Sequence, residues 1–315
     1  MLRLRLYSVE LILVGVLAGA VAYFAFLGYG LLTPAFVVEP FSGERALAYA
    51  AKQLDYGERA TGSPDNIRMG DWLIEELRLL GWDVVVQPFA AGQATPARNI
   101  IAIRSSTPAP ARAAMLVTHY DTRLVADRDP DPANHALPAP GANAGASGTA
   151  VLLELARTLD VATSGHTVCL VFLDAEENDG VEGWQPGMGS RQLIEQLDVD
   201  IPRCRSPRFG VYLDMVGGSS QRLFAESTSY PPLTKAVWGV AAELGYGSNF
   251  VNEPTWSTTD AHTRLREIDI PAITMSDYSY PYRDTLADTL EQLSVTTLEQ
   301  VGTTLKTWLE RGAPF

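Results

Sequence analysis

An unbroken apolar run opens the chain. Residues 11–32, L-I-L-V-G-V-L-A-G-A-V-A-Y-F-A-F-L-G-Y-G-L-L, carry no charge. At about 1.5 Å per residue such a run reaches roughly 33 Å, enough to cross a bilayer as a helix. Arg3 and Arg5 precede it, which places residues 1–10 on the cytoplasmic side and everything beyond the run outside the cytoplasmic or inner membrane, in the periplasm of a Gram-negative cell. Gly15, Gly19 and Ala22 form a small-residue face that lets another helix approach closely, so other transmembrane subunits are the expected partners. A cleaved signal peptide is the alternative, since Ala20-Val21-Ala22 resembles a cleavage site. The run continues well past Ala22, and the anchor is therefore the reading adopted.

Beyond a linker at 33–42, the pattern becomes amphipathic. Helical spacing appears at Gly43 to Leu54, Ile67 to Leu80, Thr149 to Leu159, Gly189 to Leu197, Pro231 to Leu244 and Val295 to Leu309. Short apolar runs at Trp82 to Phe89, Asn99 to Ile103, Ala114 to Thr118, Thr167 to Leu173, Phe209 to Leu213 and Ile270 to Met275 read as strands. Strands alternate with helices, which predicts a three-layer α/β/α sandwich around a mostly parallel sheet over 43–315, with no second domain boundary. A long polar, Pro-rich loop after Arg123 interrupts it, and loops of that length usually belong to function.

Composition narrows the partners. The net charge of −13 argues against nucleic acid and anionic lipid headgroups. Cys169 lies in the apolar run T-V-C-L-V-F-L and reads as a core residue, whereas Cys204 lies in a basic loop. Their spacing does not pair them. His135 and His166 fall in loop sequence and are expected at the surface.

The chemistry gathers at strand ends. His119 and Asp121 sit two apart, on the same side of a strand. Asp174, Glu176 and Glu177 follow the next buried strand, and Asp214 ends another. The carboxyl ends of parallel strands line one edge of an open sheet, where such folds place ligands. The ordered motifs H-Y-D, G-A-N-A-G-A-S-G, D-A-E-E, L-D-M-V-G, T-D-A-H and Y-P-Y-R-D-T-L-A-D-T resemble those of the zinc aminopeptidase and glutaminyl cyclase family, from about Gly43 to Leu309.

That resemblance implies that His119 and Asp214 bind one zinc and Glu177 the other. It makes Glu176 the general base, places Asp121 behind His119, and puts Asp260 in the acidic network beside the metal. His262 is expected to be a structural relic of its motif. Two positions depart from the family. Ala144 stands where the family has an Asp that bridges both metals, or binds the only one in cyclases. Asp284, preceded by Arg283 in place of an aromatic residue, stands where the family has a His ligand. Two ligands on each side would make a poor zinc site. The expectation is therefore a metal-free pocket in which Arg283 supplies positive charge, with zinc only if the site survives. The function that follows is a membrane-anchored, non-catalytic accessory subunit of a larger membrane complex. An active zinc aminopeptidase or glutaminyl cyclase with altered ligands, and a module that binds a peptide end, are the alternatives.

Overall fold

The computed structural model describes residues 2–32, 39–106 and 112–315, and for 2–9 and 26–32 the helical backbone only. The chain divides into two units, Met1–Glu39 and Pro40–Phe315. The first contains helix α1, Leu2–Leu32. Its described side chains are exposed, large apolar ones such as Leu11, Leu17 and Phe24 included, and a Cβ on Gly15 or Gly19 would meet no neighbour. Among the described residues no helix is long and apolar enough to cross a membrane. The anchor expected over 11–32 thus gains no support from the fold. That segment and the expected linker at 33–42 lie partly outside the described residues.

The second unit begins with α2 (Gly43–Leu54) and α3 (Pro64–Leu79). Helix α3 starts three residues before its apolar periodicity does. Ser63 caps it by accepting the Asn66 N–H at 3.0 Å, and Pro64 supplies a preset first-turn φ. There follow β1 (Asp83–Ala91), β2 (Thr95–Ser105), β3 (Ala113–His119), α4 (Gly148–Thr158), the single turn α5 (Val161–Ser164), β4 (Thr167–Leu173), α6 (Met188–Glu195), the short α7 (Leu197–Asp200) and β5 (Phe209–Asp214). The chain closes with β6 (Leu223–Glu226), α8 (Pro231–Glu243), β7 (Phe250–Trp256), α9 (Ala261–Glu267), β8 (Ala272–Ser276) and α10 (Val295–Glu310).

The main sheet has the order β1-β2-β4-β3-β5-β8. Strands β4, β3, β5 and β8 are parallel, and β1 and β2 add an antiparallel hairpin at one edge. Strand periodicity divides the core between the two faces. Ala114 and Leu116 of β3, with Val168, Leu170 and Phe172 of β4, point to the face covered by α2, α4, α8 and α10. Met115, Val117, Cys169 and Val171 point to the face covered by α6, α7 and α9. Both faces are buried, which is why these strands read as continuous apolar runs without alternation. Truncating Leu116 or Phe172 to Ala should cost about 2–5 kcal/mol.

Five elements escaped the sequence pattern, the single turns α5 and α7 among them. β6 and β7 form a separate two-stranded parallel sheet. β7 reads F-V-N-E-P-T-W, largely exposed and carrying Pro254, so it has no apolar run to betray it. Helix α9 is only seven residues long. The cysteines also differ from expectation. Cys169 and Cys204 form a disulfide across the α6–α7–α9 face, tying β4 to the turn at Pro202–Cys204. That turn brings Cys204 from its basic loop into the core, where both residues are fully buried. His166 is likewise buried, edge-on to Phe209, rather than at the surface; His135 is half-buried.

Candidate metal centre and crevice

The carboxyl ends of β3, β4, β5 and β8 open onto one crevice of about 610 Å³. His119 ends β3 and is fully buried. Its Nδ1 lies 3.1 Å from the Asp121 carbonyl oxygen and 3.5 Å from the Asp121 carboxylate. This fixes the ring so that Nε2 faces Asp214 at 3.2 Å and Glu177 at 3.5 Å. Asp121 does more than back His119. Its carboxylate accepts the N–H groups of Glu176 at 3.1 Å and Glu177 at 3.2 Å, shaping the turn after β4 that presents both acids.

A short glycine-rich segment, Ala142–Ser147, runs beneath the site into α4. The helix approaches the sheet so closely that a Cβ on Gly148 would lie 2.2 Å from Thr118 Oγ1. Asp288 holds the segment by accepting the N–H groups of Asn143 at 2.8 Å and Ala144 at 3.1 Å. Tyr280 donates its hydroxyl to the same carboxylate at 2.7 Å. The Ala144 side chain packs in an apolar group with Met215 and Tyr280.

The structure draws residues expected on both sides of the metal site into one cluster. His119, Glu177 and Asp214 form one group, with ligand atoms within 4.8 Å of one another. A tetrahedral zinc with ligands at about 2.0–2.1 Å has ligand–ligand edges of about 3.3 Å. The 3.2 and 3.5 Å contacts of His119 Nε2 match that edge. A His with two carboxylates leaves a fourth position open toward the crevice, the pattern of a catalytic zinc site. These residues fit one zinc ion. They do not fit two, because Ala144 offers no donor where a bridge would stand. Asp284 is also outside the group. Its carboxylate lies 3.4 Å from Arg128 Nε and 3.4 Å from Arg283 Nε, so its negative charge is engaged by arginines.

The charges explain the titration of the site. Burial alone would lower His119, but Glu177, Asp121 and Asp214 raise it well above its ordinary value. Burial pushes Glu177 up to about 7 against the pull of His119, and Glu176 to about 8 although Ser190 donates to it. Ser190 reaches Glu176 through its backbone N–H and, at 3.1 Å, its hydroxyl. Asp284 is raised by burial, opposed by Arg283. Burial lowers Arg283, and Glu177, Asp284 and Asp214 more than restore it. A buried acid cluster that holds its protons this readily is one that a dication would relieve.

Asp260 lines the crevice and caps α9, and its carboxylate contacts His262 Nδ1. His262 is not an idle remnant. Its Nε2 lies 2.9 Å from Glu226, so the imidazole joins the β6–β7 sheet to α9. Three further supports stand behind the site, of which only Asp174 was visible in the sequence. Arg59, fully buried, donates to the carbonyls of Tyr120, Pro140 and Gly141. Asp174 accepts from Thr61 at 2.9 Å, Asn66 at 3.1 Å and Tyr120 at 3.0 Å. Ser190 at the start of α6 is the third. Arg59, Thr61 and Asn66 belong to a segment, Y-G-E-R-A-T-G-S-P-D-N, whose only sequence signal is turn chemistry. Asp288 lay within a motif already singled out.

Known proteins resemble this chain in sequence and fold. The model of Peptidase family M28 matches residues 99–309. A Zn-dependent exopeptidase from Parabacteroides distasonis superposes with a TM-score of 0.78 at 30% identity, covering 87% of this chain and 99% of the other. A glutaminyl cyclase from Bacteroides thetaiotaomicron gives a TM-score of 0.77 at 31% identity, covering 88% and 99%. A probable zinc metalloprotease of Leptosphaeria maculans is 32% identical over 175 residues, 48% of this chain. The match spans only 39% of that relative's own length. With its motifs in family order and the family model matching residues 99–309, the chain belongs to Peptidase family M28.

Proposed function

We propose that this chain is a single-zinc hydrolase of exopeptidase type, acting on the amino end of peptides outside the cytoplasm. The observation that carries this reading is the grouping of His119, Glu177 and Asp214 beside an open crevice. Zinc held there would act as a Lewis acid and lower the pKa of a bound water. Glu176, next in sequence to Glu177 and also lining the crevice, is the group placed to take a proton from the attacking water and return it to the leaving amine. Asp179, Asp214 and Asp260 make this side of the crevice acidic, which suits a peptide ammonium. The buried Cys169–Cys204 disulfide favours an oxidising compartment. Hydrolysis of aminoacyl nitroanilides and cyclisation of glutaminyl peptides, each assayed at known zinc content, test the proposal. Turnover that disappears in Glu176→Gln while zinc is retained supports it. Absence of hydrolysis at one zinc per chain would defeat it, and cyclisation alone would replace it with a cyclase.

A second reading is a non-catalytic accessory subunit, anchored by residues 11–32 against other transmembrane helices. The features that favour it are Ala144, packed among apolar groups, and Asp284, paired with arginines. The exposed apolar side chains of α1 and the open flanks of Gly15 and Gly19 suit such packing. Co-purification with a membrane complex in mild detergent, loosened by Gly15→Leu with Gly19→Leu, is its expected signature. Recovery as a lone monomer, indifferent to those substitutions, would count against it.

A further inference from the structure

The crevice is lined by both acids and arginines. Beside Glu176, Glu177, Asp214 and Asp260 it is lined by Arg123, Arg128, Arg264 and Arg283. Three of these arginines are spoken for or lie at the surface. Arg123 pairs with Asp127 at 2.6 Å and donates to the Glu177 carbonyl at 2.6 Å. Arg264 pairs with Glu267 at 3.2 Å, and the Arg128 side chain is 58% exposed. Arg283 differs. Its side chain is only 24% exposed, its Nε makes one long contact with Asp284 at 3.4 Å, and its two terminal nitrogens have no hydrogen-bond partner among the described residues. The guanidinium sits over the Tyr278 ring, 5.2 Å from its centroid, and Tyr278 stacks on Trp256 at 4.8 Å. An arginine supported by an aromatic face presents its fork at low entropic cost, and that fork matches a carboxylate.

A second unsatisfied group lines the same space. Ser276 Oγ is buried without a partner, and Ser276 is the β8 residue paired with Asp214 of β5. A buried hydroxyl of this kind is completed by a ligand or a water. A cavity of 610 Å³ lies in the range of small-ligand sites.

We infer that the crevice selects short peptides with a free carboxyl terminus, dipeptides foremost, holding the ammonium at the acids that line it and the terminal carboxylate on the Arg283 fork. The assignment rests on the proposed peptide-amine reading for the orientation of the ligand. Its recognition element, the arginine, is independent of zinc. Long peptides and amides would forfeit the carboxylate contact, so Arg283 acts as a specificity determinant in the position the family gives to an aromatic residue.

Calorimetric titration of the full chain, zinc-loaded and zinc-depleted, with Leu-Gly, Leu-Gly amide and Leu-Glu amide tests the inference. Leu-Gly should bind about tenfold more tightly than its amide, the scale of one charge-assisted bidentate contact. Arg283→Gln should bring the ratio to about one, and Arg283→Lys, which keeps the charge and loses the fork, should leave roughly threefold. The acid-versus-amide comparison in the unaltered protein stands even if a variant fails to fold. Equal binding of acid and amide, binding of neither, or a preference that survives Arg283→Gln would overturn the inference. Leu-Glu amide matching Leu-Gly would overturn the terminal assignment and give the arginine to an acidic side chain. A chain without zinc or turnover would sink the hydrolase proposal yet leave the acid preference measurable.

Discussion

On one side of the crevice His119, Glu177 and Asp214 keep a compact donor set behind which Asp121 holds the backbone. On the other side Ala144 packs against Met215 and Tyr280, while Asp284 faces Arg128 and Arg283. Both halves rest on the same sheet edge and the same glycine-rich turn. The difference teaches that a donor set can stay compact beside a neighbouring position that carries no donor at all. Ala144 offers no donor atom to a metal, and its methyl packs with Met215 and Tyr280. His119, Glu177 and Asp214 bring their ligand atoms within 4.8 Å of one another, and Arg283 carries positive charge beside Asp284.

Substitutions on each half can break or sharpen this contrast. The largest effect is expected from Glu176→Gln, which should lower peptide turnover about 10²–10⁴-fold with zinc content unchanged, as read by steady-state kinetics beside elemental analysis. If zinc is lost as well, Glu176 holds the metal and the assignment of roles is wrong. His119→Ala should weaken zinc binding more than about a hundredfold in chelator competition, since ligand removal exceeds the cost of losing a supporting group. An unchanged affinity would move the metal elsewhere.

Asp288, which clamps the Ala144 turn, gives a pH signature. Burial raises its carboxyl to about 6 although Asn143, Tyr280 and Ala144 donate to it. The folded chain therefore keeps a proton that the unfolded chain releases near pH 4. Its contribution is present below the unfolded value and is lost as pH rises through about 6, a change on the order of 3 kcal/mol. Denaturant midpoints should accordingly show a shallower decline between pH 4 and 6 in Asp288→Asn than in the parent. Parallel pH profiles would show that the turn does not bury this charge. The smallest effect belongs to Asp121→Asn. It leaves the His119 contact to the Asp121 carbonyl intact and weakens the acceptor for Glu176 and Glu177, so zinc affinity should fall about 10–100-fold.

Much of the fold could be read in advance because both sheet faces are buried. Thr167–Leu173 and Ala114–Thr118 are apolar but for their terminal threonines, and each runs directly into the residue that starts the chemistry. β6, β7 and α9 could not be read, since they are short and β7 is polar. Ligand identities were visible as residue types, but their grouping was not. The distance from Glu177 to His119 depends on the Asp121 side chain holding the turn at 176–177, which no spacing reveals. The pairing of Cys169 with Cys204 depends in the same way on how the segment after α7 folds back over the sheet.

The most direct test of the account is zinc stoichiometry by elemental analysis of the full chain, dialysed after purification from zinc-containing buffer, in the parent and in Ala144→Asp with Asp284→His. The account predicts one zinc per chain in the parent, and two once the bridge and the second His are restored. Two zinc ions in the parent, or none while His119, Glu177 and Asp214 are intact, would contradict it.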